Sequence, residues 1–373
     1  MFILRPLPPA APDHPDPLLR AYYAPLLAAW TPGQRRLAHA TDRWLVGRRP
    51  DPEQRRYGIP TPEWPIMRGV VPAPGFVSMQ MRKGLHALFN PAALPIRAGL
   101  LKDKLRFTRA AEAAGLPVPD TLTPEKDPAA WLARHAMVML KPNFSSHGRG
   151  ITRWVHDGDA WRTGEGRPLD TPAFHAHAAR IATRGGVVQA ALATDPALAD
   201  TSPDALPTLR LMTLRDEAGA PEIAFRALRL GGGGAPVDNF ALGGLALLLD
   251  GDGRAGQAWG RGPDARPVPL ERHPRTGARL DAGLPTATLA AADALATRAH
   301  AALGAGYAVI AWDVGLTSSG PVVVEGNWNP GTNILQLLSG RPLSNGRLGE
   351  LYRLALSRVP SAAWARARPL ERD

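Results

Sequence analysis

The sequence contains no cysteine among its 373 residues. Disulfide bonds, thiolate nucleophiles and Cys-ligated zinc are therefore excluded, and nothing indicates an oxidising compartment. No apolar run approaches the roughly 20 residues that a membrane-spanning helix needs. The first residues become proline-rich without the apolar stretch of a signal peptide. We therefore expect a cytoplasmic protein with no transmembrane segment.

Acidic residues are the scarcer charged type, with 33 Asp and Glu against 44 Lys and Arg, which gives a net charge of +11. Such an excess suits a nucleic-acid or anionic-surface binder. It also suits a protein that attracts anionic small molecules such as nucleotides and carboxylates. The arginines are spread along the whole chain and the tryptophans are scattered, so no basic patch or stacking platform is indicated. The pattern favours small anionic ligands over nucleic acid.

No serine of the chain lies in a Gly-x-Ser-x-Gly elbow. The loop at residues 141–151 has neither the Gly-Lys-Ser/Thr of a Walker A loop nor the Gly-x-Gly-x-x-Gly spacing of a Rossmann fingerprint. It follows a predicted strand and combines a lysine, two serines and two glycines. Such a loop can bring backbone N–H groups close to phosphate oxygens, with the lysine supplying a charge. Considered alone, this loop favours a plain surface turn over a phosphate site.

Two apolar runs joined by a Ser-Ser-Gly-Pro turn at residues 318–321 predict a β-hairpin. Asp313 lies on one strand, while Glu325 and Asn327 lie two apart on the other and share a face. Three oxygen ligands together suit Mg²⁺, which takes one or two carboxylates and completes its shell with water and phosphate. The alternative is a surface hairpin with solvated acids. Against it, Glu325 follows three valines, and acids seldom occupy buried strands without partners.

Two arginines, Arg210 and Arg229, lie within apolar runs that we predict to be paired strands. Each alone is compatible with a structural role. Together on adjacent strands they could form the bidentate clamp that guanidinium groups make with carboxylate or phosphate. Asn239 follows in a polar turn whose glycines permit close backbone approach.

Helical and strand patterns alternate along the chain without the strict order of a doubly wound sheet, which favours an α+β class. The predicted helices and strands lie at residues 18–30, 103–115, 137–140, 187–189, 209–214, 223–230, 245–249, 289–303 and 348–356.

Taken in order, these segments resemble the ATP-grasp superfamily. The resemblance is carried by Lys102-Asp103-Lys104 with Gly115-Leu116-Pro117-Val118-Pro119, Met139-Leu140-Lys141-Pro142 with the loop to Gly150, Val187-Val188-Gln189, and the set Asp313, Glu325 and Asn327. Thr208-Leu209-Arg210, Arg229 and the Asp238-Asn239 turn with Gly243-Gly244 are similar to the α-L-glutamate ligase-like branch. The sequences of this turn and of the segments Trp312-Asp313-Val314 and Glu325-Gly326-Asn327 look closest to the sugar-transfer-associated ATP-grasp group. That group is associated with polysaccharide biosynthesis.

The resemblance implies an ATP-grasp fold, in which two α+β subdomains clasp MgATP, with an additional N-terminal segment. We expect an N-terminal helical and mixed segment at 1–100, an ATP-grasp domain at 101–340 and a C-terminal helix with a basic tail at 341–373. Within the domain, residues 101–192 would form the phosphate-loop subdomain and 193–340 the metal and substrate subdomain.

The resemblance also implies site residues, with ATP and Mg²⁺ as cofactors. Lys104 and Lys141 would contact the α- and β-phosphates. The nucleotide would further meet Ser145, Ser146, His147, Gly148 and Gly150 over its phosphates, and Gln189 to Leu192 at its adenine. Asp313, Glu325 and Asn327 would hold magnesium ions, while Arg210 and Arg229 would orient the γ-phosphate and the substrate carboxylate, with Asn239 nearby.

The implied activity is an ADP-forming ligase that joins a small-molecule carboxylate to an amine or hydroxyl acceptor through an acyl phosphate. Two alternatives stay open: a small-molecule kinase, and a non-catalytic ATP-binding subunit associated with glycan-synthesis enzymes. A nucleic-acid binder would show a steep salt dependence of affinity.

Overall fold

The computed structural model describes residues 63–67, 69–72, 76–144, 150–163, 166, 168–234, 236–262, 266–360 and 362–363. The predicted helix at 18–30 lies outside these ranges, as do Ser145, Ser146, His147 and Gly148 of the predicted phosphate loop. Among the helices of the described ranges, none combines the length and apolarity needed to cross a membrane.

Two antiparallel sheets build the described part of the chain. The first contains β1 (Thr121–Leu122), β2 (Met137–Pro142), β3 (Thr152–His156), β4 (Ala160–Arg162), β5 (Leu169–Asp170) and β6 (Gly186–Ala190). The second contains β7 (Thr208–Arg215), β8 (Pro221–Leu230), β9 (Leu245–Leu249), β10 (Ala255–Arg261), β11 (Pro267–Leu270), β12 (Val309–Thr317) and β13 (Gly320–Asn327). Their strand orders are β1-β6-β2-β3-β4-β5 and β11-β10-β9-β8-β7-β12-β13.

Helices flank both sheets. In the described ranges they are α1 (Trp64–Met67), α2 (Met79–Phe89), α3 (Lys104–Ala113), α4 (Pro128–Leu132), α5 (Thr171–Thr183), α6 (Thr286–Leu303), α7 (Thr332–Ser339) and α8 (Gly346–Ser357). Helix α3 begins at the Asp103 cap, whose carboxylate accepts a hydrogen bond from the Arg106 N–H at 3.0 Å. It ends before Gly115, which adopts φ +66°, a conformation that glycine reaches without steric cost.

The predicted elements that fall in described ranges are confirmed, including the 313–325 hairpin and the paired strands that carry Arg210 and Arg229. Strand β10 was not predicted because its Ala-Gly-Gln-Ala-Trp-Gly-Arg sequence has weak strand propensity. Pairing with β9 and β11 nevertheless forms it. Helix α2 was also not predicted, since its glycine and basic residues obscure the helical spacing.

Strand β12, between β7 and the edge strand β13, is buried along its whole length because both faces of its sheet are covered. Ile310 and Trp312 pack in the core cluster under α6. Val309 and Ala311 alternate with them and pack in the second cluster, which includes residues of α2, α7 and α8. Asp313 continues this alternation, so it lies on the face of Val309.

Residues 76–100 belong to the packed structure through buried polar contacts. The Asn90 amide donates to the carbonyls of Val309 at 2.8 Å and Trp328 at 2.7 Å. Its oxygen accepts from the N–H groups of Ala308 at 2.8 Å and Val309 at 3.1 Å. Asn90 therefore ties the start of β12 to the residue that follows β13. The predicted domain boundary at residue 100 stays a prediction.

We expect Asn90→Ala to destabilise the protein by about 2–4 kcal/mol, because it leaves several buried backbone groups without partners. The measurement is the free energy of unfolding from denaturant titration. Glu112→Ala, at an exposed helical position, serves as the control and should stay within about 0.5 kcal/mol of the parent. Equal stability of the two variants would contradict the bridging role of Asn90.

Candidate nucleotide and metal site

The three predicted metal ligands lie together on the β12–β13 hairpin. Asp313 and Glu325 are directly paired across the strands, and the register shifts immediately after this pair. Asn327 lies two residues beyond Glu325, and its amide nitrogen donates to Glu325 Oε1 at 3.2 Å. This bond fixes the amide nitrogen on the neighbouring carboxylate and leaves the amide oxygen as the group that can bind a cation.

Both oxygens of Asp313 are held by arginines. Arg210 donates to Asp313 through Nε and through Nη2, the latter at 2.9 Å to Oδ2. Arg229 donates from Nη1 to the same Oδ2 at 3.1 Å and from Nη2 to Asp238 Oδ1 at 2.7 Å. Asp238 also accepts a hydrogen bond from the Thr208 hydroxyl. The result is a buried, alternating network of two arginines and two aspartates.

The network sets different ionisation properties for its two acids. Burial disfavours the charged form of Asp313, but the charges of Arg210 and Arg229 outweigh it and hold the pKa of this carboxyl below its ordinary value. Burial dominates at Asp238 and raises its pKa, although Arg229 opposes the shift. The arginines therefore favour the ionised form of Asp313, the form in which a carboxylate binds a metal.

The donor set fits Mg²⁺. The described residues contain no group of three His, Cys, Asp or Glu side chains arranged for a metal, and Mg²⁺ does not require one, since one or two carboxylates suffice. A carboxylate offers about four lone-pair positions, and the arginines use three of those on Asp313. Asp313 also shares a hydrogen bond with Glu325, so the Glu325 carboxylate and the Asn327 amide oxygen supply most of the acceptor capacity that a hard cation needs.

The two predicted phosphate lysines are linked through Asn143. Lys104 Nζ donates to the Asn143 carbonyl at 3.1 Å. The Asn143 side chain accepts from the Leu105 N–H at 3.1 Å and donates to Asp103 at 3.0 Å. Asn143 follows Lys141 by two residues, so it joins the start of α3 to the end of β2. Its position directly after Lys141-Pro142 was the only sign of this role in the sequence.

Burial lowers the pKa of Lys141 to about 8, with Glu325 opposing and Lys104 reinforcing the shift. Burial also lowers the pKa of Lys104, and Glu325 again opposes. Because both lysines interact with the same glutamate, the phosphate lysines and the metal hairpin share one electrostatic environment.

The other residues predicted to contact the nucleotide lie at the end of the phosphate loop and at the end of β6. Gly150 adopts φ +75°, and a Cβ there would lie 3.0 Å from the Pro142 ring, so this end of the loop requires glycine. Gln189 is buried and its amide donates to the Thr121 hydroxyl at 2.9 Å. Beyond β6, the Ser318 N–H donates to the Ala193 carbonyl at 3.1 Å, which joins the connecting chain to the metal hairpin.

A single cavity of about 720 Å³ collects these residues. Of the predicted site residues in the described ranges, all but Gly150 line it: Lys104, Lys141, Gln189, Leu192, Arg210, Arg229, Asn239, Asp313, Glu325 and Asn327. Eight Lys and Arg side chains line the cavity against four Asp and Glu. The excess of four positive charges favours a polyanionic ligand.

The family model for sugar-transfer associated ATP-grasp proteins matches residues 80–349. The chain belongs to this family, and the predicted α+β class with an ATP-grasp fold is confirmed. ATP-grasp enzymes use ATP and typically Mg²⁺. A search of curated proteins found no match.

Solved structures of two ligases and a synthetase are similar to this chain at low identity. D-alanine–D-alanine ligase from Bacillus anthracis is 12% identical, with a TM-score of 0.39 over 70% of this chain and 69% of that one. L-amino acid ligase from Bacillus licheniformis is 14% identical, with a TM-score of 0.39 over 72% and 51%. N5-carboxyaminoimidazole ribonucleotide synthetase from Thermus thermophilus is 14% identical, with a TM-score of 0.35 over 62% and 46%. The chain spans about half the length of the latter two, and family membership rests on the family model alone.

We predict that a nucleotide binding at this site takes up protons through Lys141. Because the pKa of Lys141 is about 8, this side chain is neutral in about half of the free protein molecules near pH 8. Phosphate charge favours the protonated form, so binding should raise the pKa and absorb up to about half a proton per site at that pH, and less as the pH falls. Calorimetry of an ATP analogue in buffers of different ionisation enthalpy measures this uptake.

Lys141→Arg is the matched variant, since an arginine stays charged throughout this range. The uptake should largely disappear in Lys141→Arg while nucleotide binding persists. An uptake as large as that of the parent would assign the proton to another group.

Proposed function

We propose that the protein is an ATP-dependent ligase that joins a carboxylate to an amine or hydroxyl acceptor and releases ADP. The observation that carries this proposal is the convergence of Lys104, Lys141, the Asp313 network and the metal hairpin on one cavity. In the proposed reaction a carboxylate oxygen attacks the γ-phosphorus of ATP and ADP leaves. The acceptor then attacks the carbonyl of the acyl phosphate, inorganic phosphate leaves, and the acceptor loses a proton.

The first step brings two anions together, so compensation of negative charge is the main catalytic task. Lys104 and Lys141 supply positive charge for the α- and β-phosphates. Arg210 and Arg229 bring two further charges beside Asp313, where they would orient the γ-phosphate and the carboxylate. Mg²⁺ held by the hairpin would neutralise phosphate charge and act as a Lewis acid.

Two further segments, residues 189–192 and the loop 145–150, would bind the nucleotide and shield it from water. Gln189 to Leu192 would meet the adenine, and since the Gln189 amide is bonded to Thr121, the backbone would make this contact. The loop 145–150 would cover the phosphates and exclude water from the acyl phosphate. No protein nucleophile is required, which is compatible with a chain that has no cysteine.

The family's description, sugar-transfer associated, supports a role in glycan biosynthesis. We propose a cytoplasmic location, where ATP is available, and association with glycan-synthesis enzymes. The division into a phosphate-loop subdomain at 101–192 and a metal and substrate subdomain at 193–340 belongs to the same proposal. It is supported by the assignment of β1–β6 to one sheet and β7–β13 to the other.

The proposal predicts Mg²⁺-dependent binding of a non-hydrolysable ATP analogue, measured by calorimetry. Glu325→Gln and the double variant Asp313→Asn/Glu325→Gln should weaken that binding by at least the roughly 10–100-fold that loss of a supporting metal contact costs. The double control Asp159→Asn/Glu271→Gln removes the same charges from exposed positions outside the cavity and should bind like the parent.

Product analysis then separates the enzymatic hypotheses. ADP and phosphate that form only with a carboxylate and an acceptor present support the ligase. A stable phosphorylated product without an acceptor would select a kinase. Absence of analogue binding in the folded parent protein would contradict the proposal as a whole.

A further inference from the structure

The face of the second sheet that carries Asp313 changes from charged to apolar beside the two arginines of the network. Arg210 on β7 is paired with Ala227 on β8, and Arg229 on β8 is paired with Ala246 on β9. Residues paired in this way share a face, with Cβ atoms about 4.5–5.5 Å apart. Each arginine of the network therefore has an alanine as its immediate neighbour.

These alanines create a recess in the sheet surface. The next residues on the same face are large, since Ala227 is paired with Leu248 and Ala246 with Trp259. Ala227 and Ala246 line the cavity and belong to the second core cluster, against which Leu248 and Trp259 also pack without lining the cavity. Ala227 and Ala246 thus form the floor of the recess, and this floor is lowest directly beside the guanidinium groups of Arg210 and Arg229.

Helix α7 covers this floor with apolar side chains. It packs against β8, β9 and β10, and Ile334 and Leu338, one helical turn apart, line the cavity. Phe240 lines it as well. Floor and cover together enclose an apolar recess that opens onto the arginine network.

A polar group marks the mouth of the recess. The Asn239 side-chain oxygen accepts a hydrogen bond from the Ala241 N–H at 2.9 Å, so the NH₂ group is the part of this amide that can donate to a ligand. Asn239 and Arg229 both line the cavity. A carboxylate at this point would meet hydrogen-bond donors, while the carbon body attached to it would enter the recess.

We propose that this recess is the subsite for the body of the acyl donor, and that the donor is a carboxylic acid with an apolar alkyl or aryl body. The inference rests on the ligase function proposed above. A sugar acid would place hydroxyl groups against alanine, isoleucine, leucine and phenylalanine, where they lose hydrogen bonds to water without gaining partners. A site of this kind therefore discriminates against polyhydroxylated acids.

The test measures binding of carboxylic acids to the full chain saturated with an Mg²⁺–ATP analogue. The readouts are saturation-transfer NMR and calorimetry. The panel contains linear alkyl acids, aryl acids and uronic acids. Ala246→Leu should weaken binding of the alkyl or aryl acids by about tenfold or more, because the added carbons occupy the recess. The affinity of the analogue itself should be unchanged.

Two further variants keep the test interpretable. Ala246→Ser adds a hydroxyl with little volume, so it should fold normally and still weaken the apolar acids severalfold. Ala290→Leu adds the same carbons on an exposed position of α6, which packs on the opposite face of the sheet, and should have no effect.

The outcomes distinguish this inference from the proposed function. Alkyl or aryl acids that bind in an Ala246-dependent manner support it. Preferential binding of uronic acids, or no binding of any alkyl or aryl acid to the analogue-saturated protein, overturns the apolar donor subsite and leaves the nucleotide site intact. Failure of the analogue itself to bind would remove both proposals.

Discussion

The carboxylate of Asp313, buried between Arg210 and Arg229, is the interaction on which the site depends. An isolated carboxylate would not stay ionised in such a position, and two unpaired arginines beside it would repel each other. Pairing holds all three charged on the face of a buried sheet. The register of β7, β8 and β12 produces this arrangement, because it places the three residues on adjacent strands and on one face.

Other parts of the chain support the site through hydrogen bonds of their own. Asn90 fixes both ends of the metal hairpin, so residues well before the ATP-grasp motifs hold the metal ligands in place. Asn143 aligns Lys104 with the strand that carries Lys141. Of the basic residues that line the cavity, Lys141, Arg210 and Arg229 lie on strands of the two sheets, and Lys104 lies at the start of a helix that Asn143 ties to the first sheet.

Much of this could be predicted from the sequence, because the metal hairpin and the arginine strands have strong periodic patterns and distinct turn residues. Other features depend on contacts between distant segments. Asn143 and Asp238 have ordinary local sequences, and only the folded contacts between distant segments reveal that they hold Lys104 and Arg229. The bond of Asp313 to both arginines was likewise not predicted, since a sequence pattern does not specify which buried charges meet. The Ala227 and Ala246 recess emerges only from strand register.

The most direct test of the central claim is a crystal structure of the protein with Mn²⁺ and a non-hydrolysable ATP analogue. The account predicts an anomalous peak for the metal at Asp313, Glu325 and Asn327, with the phosphates between that hairpin and Lys104 and Lys141. A metal bound elsewhere, or a nucleotide that leaves the hairpin uncontacted, would contradict it.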